Sequence, residues 1–371
     1  MTGKKIKLFL VSAILSFSAC KDEFRPHVIT SAPYYLVVDG FINAGNTPTN
    51  FKLSRTINLV DTIAYKTETG AIVTIESDDG FTSLLREDTA GSYSGGPYNF
   101  SAGGHYRVRI KTADSKEYLS DAISVYSTPP VDTVSWERNN DGVTIYVNTH
   151  GPANNSRYYH WRYTQTWRFH SAFESLLEYK DSQLVLRRNP DSVYTCWHTE
   201  ESNGLILGSS AALSENIIYK QPLLSIPEDS WQISDKYSIL VKQEAVDAET
   251  YNYMLMLKKV TEQSGSIFDP QPYSVNGNIH CINDSKQIAL GHIYASLVTE
   301  KRIFIDNSEL PGWIYRPDCD TFTARDPTDL TLIAAGIYVP VYSNRNGLVL
   351  TTAFCGNCTV RGTHQKPDFW P

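Results

Sequence analysis

Apolar and polar residues alternate with a period of two along most of this chain. The cleanest run is HYRVRIKT, residues 105–112. Tyr106, Val108 and Ile110 fall on one side of it, and His105, Arg107, Arg109 and Lys111 on the other. Such a run predicts a strand of an antiparallel sheet with one buried face. Similar strands are predicted at 35–39, 50–55, 71–77, 82–86 and 118–124, with Asp78-Asp79-Gly80 as a hairpin turn among them. Six or seven short strands in roughly 95 residues suggest an immunoglobulin-like sandwich over 34–127.

Thr128-Pro129-Pro130 marks a boundary, because two prolines cannot sit inside a central strand. A larger β-rich domain, 128–371, is expected to follow, with strands at 132–137, 143–148 and Tyr158–His170. The last of these splits by parity. Tyr159, Trp161, Tyr163, Trp167 and Phe169 share one face, and His160, Arg162, Thr164, Thr166, Arg168 and His170 share the other. The aromatic face reads either as a core face or as a platform for sugar rings. The polar face, with two histidines and two arginines, suits an anionic ligand or plain solvent.

One helix interrupts the β pattern, near 247–264. Asp247 can cap it, Glu249 suits its first turn and Gly265 stops it. Tyr253, Met254, Leu257 and Val260 form its packing stripe. A strand is expected again at 291–305, followed by a loop-rich, cysteine-containing tail over 306–371.

The first residues change the picture of where the protein works. Lys4, Lys5 and Lys7 precede an apolar run, residues 8–15, that is too short to span a bilayer. Ser18 and Ala19 then lead into Cys20, as a lipoprotein signal peptidase requires. This predicts a signal peptide over 1–19, acylation at Cys20 and a tether over 20–33. Several acyl chains make a firm anchor in the lipid bilayer. Lys21, Asp22 and Glu23 follow the cysteine, and read either as a solvated tether or as a surface-export signal. No later apolar run reaches the ~20 residues a spanning helix needs.

Removing residues 1–19 takes away three lysines, leaving 30 basic against 40 acidic residues, a net charge of −10. That balance, without a basic stripe, argues against nucleic acid as a partner. Five cysteines remain: Cys196, Cys281, Cys319, Cys355 and Cys358. Beyond the cytoplasm they should pair, and five leaves one over. Cys355-Gly-Asn-Cys358 has the spacing of a disulfide-forming, zinc-binding or redox pair. A zinc site needs a second ligand pair that the sequence does not show, although His364 is near.

Catalytic motifs are missing. The nine histidines form no H-E-x-x-H, and there is no G-x-S-x-G and no phosphate-binding glycine loop. No catalytic residue, metal or cofactor is assigned. The binding candidates are Trp161 and Trp167 on the aromatic strand and Trp197, Trp231 and Trp313 in loops. Asp-Thr-Ile (61–63), Asp-Thr-Ala (88–90), Asp-Thr-Val (132–134) and Asp-Ser-Val (191–193) resemble an O-glycosylation acceptor of Bacteroidetes envelope proteins.

Several stretches in order resemble one family. They are YLVVDGFINAG (35–45), KLSRT (52–56), GAIV with the later GSY (91–93), TPPVDTVSW (128–136), GVTIYVNTH (142–150), RYYHWRYTQTW (157–167), GSIFDPQP (265–272) with GNI (277–279), and FCGNCTVRGTHQKPDFW (354–370). The chain resembles the Bacteroidetes outer-membrane lipoproteins grouped as domain of unknown function 4249. Gly362-Thr363 departs from it, with one glycine where the family tail would show a pair. The resemblance implies no activity. It implies a surface-exposed outer-membrane lipoprotein, non-enzymatic, that assists a TonB-dependent transporter or captures its substrate. An independent glycan- or peptide-binding adhesin and a hydrolase with a carboxylate site are the alternatives.

Overall fold

The computed structural model describes residues 34–57, 66–153, 155–262, 277–324 and 327–371. Cys20, the tether, Asp61–Ile63, Gly265 and the 265–272 segment lie outside them. The described residues are mainly β, in five sheets, one of them a separate hairpin and one in the tail.

The N-terminal strands follow the expected alternation. In His105–Lys111, Val108 and Ile110 are buried, while His105, Arg107 and Lys111 are exposed. The predicted turn forms, with the Gly80 amide donating to the Ser77 carbonyl. The expected two-sheet sandwich gives way to a closed ring of eight strands. In hydrogen-bonding order these are Ile123–Tyr126, His105–Lys111, Ile72–Ser77, Thr82–Thr89, Ser92–Gly95, Thr49–Arg55, Leu36–Asn43 and Ala295–Ser296, which returns to the first. Closure removes the exposed sheet edges that an open sheet must protect. Ala295 and Ser296 achieve it by pairing in parallel with Ile42–Asn43 on one side and Val125–Tyr126 on the other.

Side chains fill the ring, including Leu36, Val38, Phe51, Leu53, Val73, Ile75, Tyr93, Val108 and Ile110. Eight strands enclose about the volume that side chains occupy. The boundary at 127 therefore does not enclose the first unit. Ile279–Cys281, Ala289–Leu290 and Ala295–Ser296 all join its sheet from the far side of the helix. Gly291 lets this segment lie against Leu36–Asn43: its φ is +129°, and a Cβ there would collide with the Val38 carbonyl.

Two sheets follow. Val131–Asn139, Gly142–His150 and Ile217–Pro227 form one. Thr195–Glu201, Tyr158–His170, Lys236–Val246 and Val298–Asp306 form the other, with Ile206–Ser209 also on Tyr158–His170. They share one core: Val134, Val143, Ile145 and Val147 from the first meet Tyr159, Trp161, Trp167, Phe169, Tyr237, Ile239 and Val241 from the second. Gln243 ties the layers, accepting from Trp161 Nε1 at 2.8 Å and donating to the Pro129 carbonyl at 2.8 Å.

The helix spans Ala248–Glu262, and Asp247 caps it by accepting from the Thr250 amide at 2.6 Å. Met254 is buried against Val246 and Tyr294, with Tyr251 and Tyr253 beside it. Val260 is exposed, so the packing stripe ends at Leu257. The tail is more ordered than expected. It holds a three-stranded sheet of Phe322–Thr323, Gly347–Thr352 and Tyr338–Asn344, and the helix Pro327–Ala334. No helix among the described residues is long and apolar enough to cross a membrane.

Candidate functional site

Four of the five tryptophan candidates belong to the interior. Trp161, Trp167, Trp197 and Trp313 are all buried. Of the two readings of the aromatic strand, the core face is the one realised, because the facing sheet covers it. Trp231 alone stays partly exposed. It starts a short 3₁₀ turn and sets its edge on Trp167, at 4.9 Å between ring centres, and on Phe169, at 5.0 Å.

The polar face of Tyr158–His170 is not simply solvated. His160 is buried, with Nδ1 3.2 Å from Glu244 Oε2. Arg162 also pairs with Glu244, through both Nε and Nη2. The Tyr294 hydroxyl donates to Glu244 Oε2 at 2.6 Å. Phe41 stacks on Tyr294 at 5.0 Å and lies under the Arg162 guanidinium at 4.8 Å. Glu244 is wholly buried. Burial alone would raise its pKa, but the His160 hydrogen bond and the Arg162 charge outweigh that and hold it at about 2. These residues come from the ring, from the second sheet and from the segment before Ala295, so the cluster joins the units. At the other end of the strand, Arg168 and His170 both reach Asp235. Burial again pushes upward, and those two hydrogen bonds prevail, leaving Asp235 at about 2. Neither carboxylate is a proton donor at neutral pH.

The cysteines form two bridges, Cys196–Cys358 and Cys319–Cys355, and Cys281 is free. Cys355 and Cys358 thus pair with distant partners rather than with each other, and neither is left as a thiolate for a metal. His364 faces the Thr195 carbonyl through Nδ1 at 3.1 Å. Among the described residues no three His, Cys, Asp or Glu side chains are grouped to hold an ion.

The first bridge begins a clamp of the tail onto Thr195–Glu201. Thr363 and Trp197 exchange two backbone hydrogen bonds, at 2.8 and 2.9 Å. Between bridge and bonds, Gly362 passes so close that a Cβ would collide with the Trp197 carbonyl. The single glycine at 362 is thus explained by packing. The clamp fixes Arg361. Its guanidinium lies among three rings, 4.3 Å from Phe354, 4.8 Å from Phe169 and 5.2 Å from Trp231. Burial lowers its pKa, and the nearby Tyr315 hydroxyl opposes that. Phe354 is 45% exposed, so the cluster opens to the surface. Sequence reading missed Arg361, because a lone arginine in a loop carries no pattern.

A second surface lies on the hairpin Leu177–Lys180 and Gln183–Leu186. Asp181 and Ser182, with φ of 50° and 61°, make its two-residue turn. Register puts Leu177 opposite Leu186 and Tyr179 opposite Leu184, so these four share one face. Leu186 is 77% exposed and Leu184 38%. Charged Glu178 and Lys180 lie on the reverse face. The signal was in the sequence as LEYK-DS-QLVL, four apolar positions in alternation about a turn.

No curated protein matches the chain. Among solved structures, trypsin-activated alpha-2-macroglobulin from Escherichia coli is similar at 11% identity and a TM-score of 0.20, over 60% of this chain and 15% of that one. The model of a domain of unknown function (DUF4249) matches residues 21–302, and the chain belongs to that family.

Proposed function

Taking that membership as premise, we propose that this protein is a lipid-anchored surface protein of the bacterial outer membrane, a non-enzymatic accessory of a TonB-dependent transporter. The apolar hairpin face carries the reading. The hairpin packs along Leu177–Lys180 on the tail strand Tyr338–Asn344, while Leu184 and Leu186 stay exposed, and exposed leucines on a hairpin edge mark a surface for another protein. The tether supplies the occupant. Acylation at Cys20 leaves 14 residues before Tyr34, a reach of at most roughly 50 Å from the lipid. A membrane protein beside the anchor lies within that reach and is the partner this reading assigns to the hairpin.

Among the described residues, every carboxyl group whose pKa is displaced is displaced downward: Asp79, Glu87, Asp88, Asp114, Asp235, Glu244, Asp284 and Asp306. A glycosidase acid requires the opposite shift. This supports a binding role over the hydrolase alternative. The adhesin alternative loses four of its five tryptophans to the core.

The test is a pull-down of the tagged protein from cross-linked outer membranes in mild detergent. A TonB-dependent transporter should co-purify in near-equal amount with the wild-type chain and be lost from a Leu184→Asp, Leu186→Asp variant. Cys20→Ala should shift the protein out of the membrane fraction. A lipoprotein that purifies alone would defeat the accessory role. One that stays in the membrane without Cys20 would defeat the anchor.

A further inference from the structure

Six buried side-chain polar atoms among the described residues have no hydrogen-bond partner: Tyr118 Oη, Trp167 Nε1, Trp197 Nε1, Glu228 Oε2, Arg361 Nε and Trp370 Nε1. Their distribution is uneven. Four are N–H donors, and those four sit in the neighbourhood of the tail clamp. Trp370 packs edgewise on Trp197 at 6.3 Å, Trp167 meets Trp231 at 4.9 Å, and Arg361 lies 5.2 Å from Trp231. An orphaned buried donor forfeits the hydrogen bond it had in water, and native structures keep few of them. These four nitrogens are sealed from solvent, so they add positive potential around the clamp rather than direct contacts to a ligand.

Arg361 gives this field its centre. Most arginines with described contacts answer to carboxylates: Arg55 to Glu68, Arg109 to Glu76 and Glu117, Arg138 to Glu228, Arg162 to Glu244, Arg168 to Asp235. Arg361 has no carboxylate within ion-pair distance among the described residues. Its neighbours are the Tyr315 phenol and the rings of Phe169, Trp231 and Phe354. Rings hold a guanidinium's flat faces and leave its N–H edge for a planar acceptor. The position is also fixed in advance. The Cys196–Cys358 bridge and the Thr363–Trp197 hydrogen bonds flank Arg361 on either side. A held guanidinium loses less freedom on binding than a free one.

We propose that Arg361, with Phe354 and Trp231, forms a binding site for a carboxylate carried on a ring with an apolar face. Arg361 Nε is buried, so the carboxylate takes the terminal guanidinium nitrogens, and the ring lies against the exposed face of Phe354. Acidic sugars and aromatic acids both have this chemistry. The site is separate from the hairpin, and its occupancy does not depend on the transporter reading.

Isothermal titration of the full mature chain with glucuronate and with benzoate tests it, beside their neutral counterparts glucose and benzyl alcohol. At least one acid should bind saturably and weaken as salt rises, with its neutral counterpart about tenfold weaker, the worth of one charge-assisted hydrogen bond. Glucuronate alone would identify an acidic sugar, and benzoate alone an aromatic acid. Arg361→Gln should abolish the binding. Phe354→Ala removes a half-exposed ring and, with an unchanged melting curve as the control for folding, should weaken binding about threefold. The proposal falls if neither acid binds, if the neutral compounds bind as well as the acids, or if Phe354→Ala leaves the affinity of a binding acid unchanged. Loss of transporter pull-down with acid binding intact would overturn the accessory reading alone.

Discussion

Glu244 shows how one buried charge stays tolerable. It lies in the interior with a histidine, an arginine and a tyrosine hydroxyl on its two oxygens. Its pKa falls from an ordinary 4.5 to about 2. A carboxylate with a lowered folded pKa adds stability above its unfolded pKa and loses it as pH falls through the folded value. Glu244 therefore stabilises the fold at neutral pH by roughly 3 kcal/mol relative to its protonated form, and that share disappears between about pH 4.5 and 2. Glu244→Gln should cost about 3 kcal/mol or more at pH 7, since Arg162 is left without its carboxylate. It should also flatten the fall in stability across that acidic window. Urea unfolding of both proteins at pH 7 and pH 3 measures the two effects. Equal slopes in wild type and variant would mean that another group carries the acid sensitivity. The sequence placed His160 and Arg162 on one face of a strand but could not supply Glu244, which lies more than 80 positions further along the chain and meets them only through sheet pairing.

At the scale of elements, legibility tracked locality. The strand Tyr158–His170 appears with the bounds its alternation predicts, and the helix starts where Asp247 caps it. Both signals come from neighbouring residues. Strands such as Ser92–Gly95 and Ala295–Ser296 are too short to carry a period, and they exist because partners on either side order them. Four of the five cysteines pair in disulfides, as expected, but their partners escaped the sequence for the same reason: Cys355 and Cys358 stand three positions apart, yet a short turn and a 3₁₀ turn aim them at different partners. Mass mapping of the unreduced protein should find peptides joined as 196–358 and 319–355, with Cys281 alkylated. A 355–358 link would contradict the tail's arrangement. The 196–358 bridge closes a loop of 162 residues, and large loops gain most from a cross-link in the chain-entropy account. Its removal should cost about 2–5 kcal/mol and open the tail beyond residue 306 to protease first.

The whole molecule depends on a segment that leaves one unit and returns to another. The chain completes seven ring strands by Tyr126, builds most of the second unit, runs through the helix, and only then supplies the eighth ring strand at Ala295–Ser296. Thr128 and Ser296 share a hydrogen bond at 3.0 Å, Thr128 accepts from the Ala245 amide at 2.8 Å, and Ser296 donates to the Ala245 carbonyl at 3.0 Å. The proline boundary is therefore a packed joint, held by residues more than 100 positions apart. Closing the ring last has a thermodynamic consequence. A fragment of residues 34–127 keeps seven ring strands but loses strand partners of Leu36–Asn43, Ile123–Tyr126 and Glu117–Ser120, leaving Ile42 and Val125 without the neighbouring Ala295. It should aggregate or remain unfolded. A fragment of residues 34–306 restores the closing strand and the second sheet's Val298–Asp306, and should show cooperative unfolding. Thermal denaturation and size exclusion of the two fragments decide the matter. A stable, monomeric 34–127 would show that the N-terminal strands close without the return segment, and would make the first unit the independent sandwich that its sequence alone suggests.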